Sequence, residues 1–267
     1  MIALIGSLDP LTALLATTLR AQGRPHIVCT VGHRTVLDPP PGDPVVFRVE
    51  HLGTLLKHLG DSGVRTVCFS GGIRRPQIDP AQIDARTAPL VPLLLGALRQ
   101  GDDGALRVVL GIFEGGGFEV LAAHDLVPEL LPHPGVLSAL RPNAQHDADA
   151  ARAEEVHRIL APADIGQGVI VRRGQVLAVE AQPGTDFMLR SVKGFAEGAL
   201  FFKAPKLGQD RRADLPVIGP TTVERAQASK LSAIVIEAGG VMVLNREATV
   251  AAASAAGLVL WVREPGA

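Results

Sequence analysis

The sequence predicts an α/β protein built from two domains. Its first half alternates strand-like and helix-like segments, and its second half contains further short apolar strands after a long helical stretch. With 267 residues, the chain exceeds the usual size of one domain. Hydrophobic residues make up 47% of it and charged residues 20%, values typical of a globular protein with a sizeable core.

The first half predicts an open, largely parallel sheet. Strand-like runs occupy residues 1–5, 26–31, 45–49, 65–69 and 118–122, and helical patterns occupy residues 11–21, 52–59, 90–99 and 102–114. This βαβ rhythm is typical of a Rossmann-like domain. The stretch 126–142 is rich in Pro and Leu and lacks clean periodicity. We therefore predict an N-terminal Rossmann-like domain at residues 1–140.

The second half predicts a C-terminal α/β domain at residues 141–267. It begins with a helix near 147–160, followed by paired strands at 168–172 and 175–180 across Arg173-Gly174. A helix from about Thr185 and a strand at 200–203 come next. The remaining expected elements are strands at 216–219, 233–237, 241–244 and 258–262 and helices at 222–230 and 246–256.

Composition argues against several classes of partner. The formal charge is −1, with 26 basic and 27 acidic side chains, so no global field favours DNA or an anionic membrane. With eight Phe, one Trp and no Tyr, the chain has few stacking platforms for single-stranded nucleic acid. Cys29 and Cys68 lie in strand-like apolar runs without a CxxC pair, which predicts buried reduced thiols.

We expect a cytoplasmic protein without a membrane anchor. The N-terminus lacks a positive region and contains Asp9 and Pro10 within its apolar part, so it predicts a strand and a helix, not a signal peptide. Apolar runs such as residues 91–98 are much shorter than the ~20 residues that span a bilayer.

The densest polar cluster lies between residues 203 and 214. Its four cations and two carboxylates are Lys203, Lys206, Arg211, Arg212, Asp210 and Asp214. Cations can neutralise phosphoryl oxygens while a carboxylate holds Mg²⁺ or orients water, so the cluster suits a diphosphate. The alternative is a solvated surface loop.

A helix start follows this cluster. Thr221 and Glu224 stand at capping-box spacing, which would direct free backbone N–H groups toward the cations and create an anion site near Thr222. Most capping boxes only cap, and that interpretation stays open.

A second candidate site joins Asp164-Ile-Gly-Gln167-Gly168, Glu180 and the pair Thr185-Asp186. Strand-end carboxylates here could converge on one edge of a sheet. Alternatively, Asp186 only caps the following helix.

In the first domain, Gly71, Gly72 and Arg74 follow a buried strand, where open α/β sheets place their ligand crevice. Phosphate or sugar binding is expected there. Gly101-Asp102-Asp103 is interpreted as a helix cap, or as a carboxylate pair for a metal. The sequence has no GxGxxG, Walker A, nucleophile elbow or zinc-ligand spacing, which disfavours a nicotinamide oxidoreductase.

Several of these motifs, in this order, resemble the UDP-2,3-diacylglucosamine pyrophosphatase (LpxI) family. The resemblance rests on Asp164-Ile-Gly-Gln-Gly-Val, on Ala178-Val-Glu-Ala-Gln-Pro-Gly-Thr-Asp186, on Lys203-Ala-Pro-Lys and on Asp210-Arg-Arg-Ala-Asp-Leu-Pro-Val-Ile-Gly219. Ser70-Gly-Gly-Ile-Arg-Arg-Pro76, Gly101-Asp-Asp103 and Ala123-His-Asp125 fit its first half.

The resemblance implies hydrolysis of UDP-2,3-diacylglucosamine to 2,3-diacylglucosamine 1-phosphate (lipid X) and UMP in lipid A biosynthesis, with Mg²⁺ or possible use of Mn²⁺. It also implies a homodimer of two-domain chains that hold the lipid between the domains. The family's essential aspartate corresponds to Asp214, with Asp186 and Glu180 as further metal candidates. Lys203 and Arg212 would stabilise diphosphate charge. Expected substrate contacts are Lys206, Gln167, Thr185, Thr222, Gly71, Gly72 and Arg74.

One departure concerns the turn after the first strand. The family usually has a Gly-rich turn there, whereas Gly6 is followed by Ser-Leu-Asp-Pro, which changes the expected first-domain contacts. The Leu/Pro-rich stretch 126–140 would hold acyl chains, touch the cytoplasmic face of the inner membrane, or pack as a hinge. Two other functions stay open: hydrolysis of another nucleotide-sugar diphosphate, and non-catalytic nucleotide or lipid binding.

Overall fold

A computed structural model gives the fold and describes residues 1–72, 77–99 and 101–266. By packing, the chain forms two units. Unit 1 comprises Met1–Pro128 and the short segment Asp210–Asp214. Unit 2 comprises Glu129–Gln209 and the chain from Leu215 onward. The domain bounds given above, 1–140 and 141–267, stay a prediction.

Unit 1 contains a five-stranded, fully parallel sheet in the order β3-β2-β1-β4-β5. Its strands are β1 (Ile2–Gly6), β2 (His26–Val31), β3 (Val45–Phe47), β4 (Thr66–Ser70) and β5 (Glu119–Leu121). This order confirms the predicted Rossmann-like open sheet. The strand order reverses between β1 and β4, and open α/β sheets form their ligand crevice at such a switch point.

In the described part of unit 1, five α-helices accompany this sheet. They are α1 (Pro10–Ala21), α2 (Leu52–Asp61), α3 (Val91–Leu98), α4 (Asp102–Gly115) and α5 (Ala123–Leu126). All five residues of β1 are buried, as expected for a parallel strand covered on both faces. Phe69 of β4 packs edge-to-face on Phe113 of α4, with ring centroids 5.2 Å apart. This ring contact packs α4 against the carboxyl end of β4.

Cys29 and Cys68 are free and buried in unit 1, as the prediction of buried reduced thiols expected. Burial in apolar surroundings raises the pKa of Cys29 to about 12 and that of Cys68 to about 12. Neither thiol therefore has the thiolate character that a nucleophile needs.

Unit 2 contains a six-stranded mixed sheet in the order β6-β13-β11-β9-β7-β8 and a separate parallel pair β10-β12. The strands of the large sheet are β6 (Gly135–Val136), β7 (Gly168–Arg172), β8 (Gln175–Val179), β9 (Leu200–Lys203), β11 (Ala233–Glu237) and β13 (Val259–Arg263). The separate pair consists of β10 (Val217–Ile218) and β12 (Met242–Val243). Strands β9, β11 and β13 are parallel, whereas β6, β7 and β8 join antiparallel.

Both faces of this sheet are covered by helices. They are α6 (Ala144–Leu160), α7 (Thr185–Ser191), α8 (Pro220–Ala228) and α9 (Arg246–Ala255). Phe201 and Ile234 share a core with residues of α7, α8 and α9. Their neighbours Phe202 and Val235 share the opposite core with Ala150 of α6. The two-residue alternation of side chains along each strand produces this division.

The structure corrects two predicted helix starts. Helix α8 begins at Pro220 with Gly219 as its N-cap, so the predicted capping box of Thr221 and Glu224 is wrong. Proline at the first helical position has its φ already set for a helix, which favours the earlier start. Helix α6 begins at Ala144, three residues before the predicted start, because Asn143 caps it by accepting a hydrogen bond from the His146 N–H at 3.0 Å.

Among the described residues, no helix is both long enough and apolar enough to span a bilayer.

Gly6 is required where β1 and β4 end side by side. A Cβ built on Gly6 would lie 1.7 Å from the carbonyl oxygen of Ser70, which is fixed backbone. We expect Gly6→Ala to lower the free energy of unfolding by about 1–3 kcal/mol, because one of the paired strands must shift. Urea unfolding followed by circular dichroism would measure this.

Gly111→Ala in α4 is the matched control. A Cβ there meets no described atom within 4 Å beyond its own helix. It should stabilise unit 1 by about 0.5–1 kcal/mol, since Ala forms helix better than Gly. Equal effects of the two substitutions would contradict the strand-crowding argument.

Candidate active site

The segment Asp210–Asp214 packs within unit 1 and is fastened to helix α4. The Asp210 N–H donates to Asp103 Oδ1 at 2.9 Å, at the first turn of the helix. Near its last turn, Arg212 Nη1 donates to Glu114 Oε1 at 2.5 Å. The side chain of Ala213 packs on the apolar core of unit 1. The segment is therefore held at both ends of one helix.

Arg212 makes a two-point ion pair with Asp210. Its Nε donates to Oδ1 at 3.0 Å and its Nη2 donates to Oδ2 at 2.8 Å. These hydrogen bonds lower the pKa of the Asp210 carboxyl, and the two carboxylates raise the pKa of the guanidinium. Arg212 thus holds the segment Asp210–Asp214 in place. Its predicted catalytic role stays a prediction.

Asp214 is one of the residues that line an apolar cavity of about 250 Å³ within unit 1. Side chains from the sheet and from α3 and α4 form the walls, among them Phe47, Phe69, Leu94, Leu106 and Phe113. Gly71 and Gly72 complete the lining beside Asp214. The structure therefore brings three predicted site residues to one cavity, which the sequence did not reveal. Arg74 lies outside the described residues.

The turn after β1 supplies its own anion to the start of α1. The Asp9 carboxylate accepts hydrogen bonds from the N–H groups of Leu11 at 3.0 Å and Thr12 at 3.1 Å. It also accepts from the hydroxyl of Ser7 at 3.0 Å and from the Gly72 N–H at 3.3 Å. Phosphate groups occupy this helix position in many Rossmann-like proteins. Here an internal carboxylate occupies it.

Gly71 permits this arrangement. Its φ is +74°, and a Cβ added to it would lie 2.0 Å from Asp9 Oδ2. A side chain at this position would therefore displace the carboxylate from the helix start. Gly71 and Gly72 serve the packing of Asp9, and their predicted contact with substrate stays a prediction.

In unit 2, Lys203, Thr185 and Glu180 form a buried polar group. Lys203 Nζ donates to Thr185 Oγ1 at 2.5 Å, and that hydroxyl donates to Glu180 Oε1 at 2.7 Å. Lys203 Nζ lies 3.8 Å from Glu180 Oε2, and the two residues are 5% and 8% exposed. Removing one partner of such a pair leaves a buried charge uncompensated. The sequence analysis grouped Glu180 with Thr185, and the structure joins these two by a hydrogen bond, whereas the contact of Lys203 with them was not predicted.

Gly168 leaves the space that Glu180 occupies. A Cβ on Gly168 would lie 2.7 Å from Glu180 Oε2 and 2.9 Å from the Phe201 ring. The Gly168 carbonyl also accepts a hydrogen bond from the Glu180 N–H at 2.8 Å. Gly168, which follows Gln167 in the motif, thus positions the carboxylate of Glu180.

Lys206 and Gln167 hold a neighbouring loop of unit 2. Lys206 Nζ is hydrogen-bonded to Asp164 Oδ1. Gln167 Nε2 donates to Gln209 Oε1 at 3.2 Å, and the same oxygen accepts from the Lys206 N–H at 2.9 Å. These polar contacts order the loop, and in it the ammonium group of Lys206 is paired with the carboxylate of Asp164.

Asp186 and Thr222 have local partners. Asp186 Oδ1 lies 2.8 Å from Arg225 Nε, an ion pair that joins α7 to α8. Thr222 Oγ1 accepts a hydrogen bond from the Gly219 N–H at 3.2 Å and so caps α8. Within the part of the chain that the structure describes, no group of three or more His, Cys, Asp or Glu side chains could hold a metal.

His157 is a residue that the sequence analysis missed. It is 7% exposed, its ring lies 6.0 Å from the Phe202 ring, and it has a hydrogen bond with the Ala204 backbone. Burial lowers its pKa, so it is held neutral. The spacing of Ala150, Ala153 and His157 marks the buried face of α6, and this helical period could have revealed it.

The chain matches two family models and one curated relative over nearly its whole length. A model described as the LpxI N-terminal domain matches residues 1–130, and one described as the LpxI C-terminal domain matches residues 133–261. The UDP-2,3-diacylglucosamine pyrophosphatase LpxI of Caulobacter vibrioides is 40% identical over 277 residues, which cover 99% of this chain and 98% of that protein.

The chain belongs to the LpxI family. The resemblance inferred from the motifs is thereby confirmed. The segment Asp210–Asp214 lies within the range of the C-terminal domain match, yet it packs with unit 1. The candidate aspartate of the LpxI motif thus belongs structurally to the Rossmann-like unit.

The ion pair of Arg212 with Asp210 predicts that the free energy of unfolding depends on pH. A carboxyl whose folded pKa is lowered stabilises the fold above its unfolded pKa, and this contribution is lost as the pH falls through the folded value. The pKa of Asp210 is lowered from 3.8. Arg212→Gln should therefore reduce the melting temperature at neutral pH, and the difference from wild type should narrow below about pH 4.

Differential scanning calorimetry between neutral and acid pH would measure both curves. Lys57→Gln is the control, since Lys57 forms an exposed ion pair with Asp61 and should change stability little. A wild-type advantage over Arg212→Gln that is the same in acid as at neutral pH would exclude the Asp210 linkage.

Proposed function

We propose that this chain hydrolyses UDP-2,3-diacylglucosamine to UMP and 2,3-diacylglucosamine 1-phosphate (lipid X) in lipid A biosynthesis. The observation that carries the proposal is that Asp214, a half-buried residue, lines an apolar cavity. The name of the Caulobacter relative, a UDP-2,3-diacylglucosamine pyrophosphatase that is 40% identical, supports it.

The cavity suits a substrate that is polar at its reacting end and apolar elsewhere. Its volume of about 250 Å³ is extended by an adjoining cavity of about 490 Å³, and Val49, Ile78, Leu94 and Leu98 line both. An acyl chain gains about 0.8 kcal/mol for each buried CH₂ and needs no polar partner. We infer that an acyl chain occupies this space while the diphosphate lies toward Asp214.

Hydrolysis forms one bond and breaks one. The oxygen of water bonds to a phosphorus of the diphosphate, the bond from that phosphorus to the bridging oxygen breaks, and the bridging oxygen leaves with the other phosphoryl group. The attacking water must lose a proton, and the Asp214 carboxylate is positioned in this proposal to accept it or to orient the water. Both products are phosphate monoesters.

We propose Mg²⁺, or Mn²⁺ in its place, as the cofactor. Mg²⁺ takes oxygen ligands and often uses one or two carboxylates together with substrate phosphates. Asp214 supplies a carboxylate of this kind in the lining of the cavity, and Glu180 and Asp186 are the further metal candidates of the motif comparison. Bound at Asp214, the ion would neutralise charge on the phosphoryl oxygens.

Lys203 and Lys206 would add fixed positive charge in unit 2. Both ammonium groups are held by hydrogen bonds, to Thr185 and to Asp164. Donors that are fixed before the reaction contribute more than mobile ones because little reorganisation is needed. We also propose that the chain forms a homodimer in the cytoplasm and contacts the inner membrane peripherally.

The direct test is UMP release from UDP-2,3-diacylglucosamine by the purified protein with Mg²⁺. We expect EDTA to abolish release, and Asp214→Asn to reduce it by a factor of about 10²–10⁴, the usual contribution of a positioned acid–base group. Asp43→Asn, at an exposed loop position, is the control and should keep wild-type activity.

Other outcomes favour other functions. Equal cleavage of UDP-sugars without acyl chains would favour a soluble nucleotide-sugar hydrolase. Ligand binding without any UMP release would favour a non-catalytic carrier.

Ala105 lines the cavity and allows a test of acyl binding. Ala105→Phe would fill space that the acyl chain needs, so KM should rise about fourfold for each displaced CH₂. Long-chain substrates should be affected more than short-chain ones. Ala105→Ser keeps the volume and is the control. Steady-state kinetics with a series of acyl lengths would detect the effect, and a KM increase independent of chain length would contradict this site for the chain.

A further inference from the structure

Helix α3 and the segment before it expose an apolar surface on unit 1. Leu93 is 51% exposed and Leu95 is 48% exposed, high values for large aliphatic side chains. We call the exposed side chains of this stretch the α3 surface: Ala85, Arg86, Ala88, Pro89, Pro92, Leu93, Leu95 and Arg99. A continuous exposed apolar surface generally marks an interaction site.

The charges of the α3 surface have one sign. Arg86 and Arg99 stand at its two ends, and residues 87–98 contain no charged side chain. An apolar face bordered by cations is the pattern that favours an anionic lipid surface, because aliphatic groups enter the bilayer boundary while arginines remain at the headgroups.

The α3 surface is held in place before any partner binds. The Gly53 N–H of α2 donates to Thr87 Oγ1 at 2.9 Å, and Thr87 is fully buried. The Thr87 N–H donates to Asp84 Oδ1 at 2.7 Å, and the Asp84 N–H donates to the Glu50 carbonyl at 3.1 Å. A surface fixed in this way loses little conformational entropy on docking.

The same helix forms a wall of the apolar cavities. Leu94 and Leu98 line both cavities, and Leu95 lines the larger one while remaining half exposed. One face of α3 is therefore directed to the interior space and the other to the outside. The apolar surface and the apolar cavity are continuous through Leu95.

We propose that the α3 surface docks on an anionic lipid bilayer, so that an acyl chain passes from the bilayer past Leu95 into the adjoining cavity. The identity of the lipid that enters rests on the proposed function. The docking itself rests on the exposed leucines, the two arginines and the cavity behind them.

A second copy of this chain fits the α3 surface less well. A stable protein interface uses roughly 20–30 residues on each side. The α3 surface offers only the short run of side chains named above. A bilayer needs no matching partner surface, and a short helix face suffices for it.

The experiment is flotation of the full chain with vesicles of phosphatidylcholine alone and of an equal mixture with phosphatidylglycerol. Wild type should float with the anionic vesicles, and less at high salt. Leu93→Glu should lower the partition coefficient about tenfold or more, and Arg99→Gln about fivefold. Ile159→Glu is the control, since Ile159 is 60% exposed on α6 of unit 2 and should leave flotation unchanged.

Three results would overturn the docking proposal. One is absence of wild-type flotation with anionic vesicles, and another is equal flotation of Leu93→Glu and wild type. The third is a change from dimer to monomer in Leu93→Glu, seen by light scattering, without loss of flotation, since a second copy would then cover the surface.

UMP release from detergent-dispersed substrate separates this proposal from the proposed function. Leu93 does not line either cavity, so Leu93→Glu should match wild type in detergent. Failure of wild type in this assay would reject the hydrolase function, whereas the flotation results judge the docking surface alone.

Discussion

The ion pairs of Arg212 fix the segment that carries Asp214, and the arrangement of the candidate active site in unit 1 depends on them. Residues 210–214 have no helix or strand of their own, so ordering them costs about 1–2 kcal/mol per residue. Arg212 binds Asp210 at two points and Glu114 at a third, while Asp103 accepts from the Asp210 backbone. A planar guanidinium suits this task because its fork matches carboxylates at fixed angles. Without the attachment, Asp214 would have no defined place beside the cavity.

The turn after β1 sets a second condition on the chemistry of unit 1. In many Rossmann-like proteins the first helix receives a phosphate at its N-terminus. Here Asp9 fills that position and accepts hydrogen bonds from the backbone of Leu11, Thr12 and Gly72. A second anion at the same point would meet like charge. The crevice of unit 1 therefore favours an apolar group along its walls, with Asp214 as a charged residue in the lining.

Much of the fold could be predicted from the sequence because strands and helices leave periodic patterns in short stretches. The parallel sheet of unit 1 followed from the βαβ rhythm, and the grouping of Glu180 with Thr185 followed from strand ends. The contact of Lys203 with these two residues was not predicted. The partners of Arg212 could not be predicted, since Glu114 lies 98 residues away in sequence. The cavity was also missed, because it is formed by side chains from many separate strands and helices. Helix α8 starts at Pro220, earlier than the spacing of Thr221 and Glu224 predicted, because proline has its φ already set for the first helical position.

The buried group of unit 2 shows how a motif can act through position. Glu180 is held below the surface by Thr185, and Gly168 leaves the room that its carboxylate fills. A buried carboxylate is costly unless a cation compensates it, and Lys203 provides that charge. Lys203 is in turn restrained by the same hydroxyl. The glycine, the threonine and the glutamate thus define one orientation for the ammonium group. It follows that Gly168 acts on Lys203 through Glu180, because the room that it leaves sets the place of the carboxylate that faces the ammonium group.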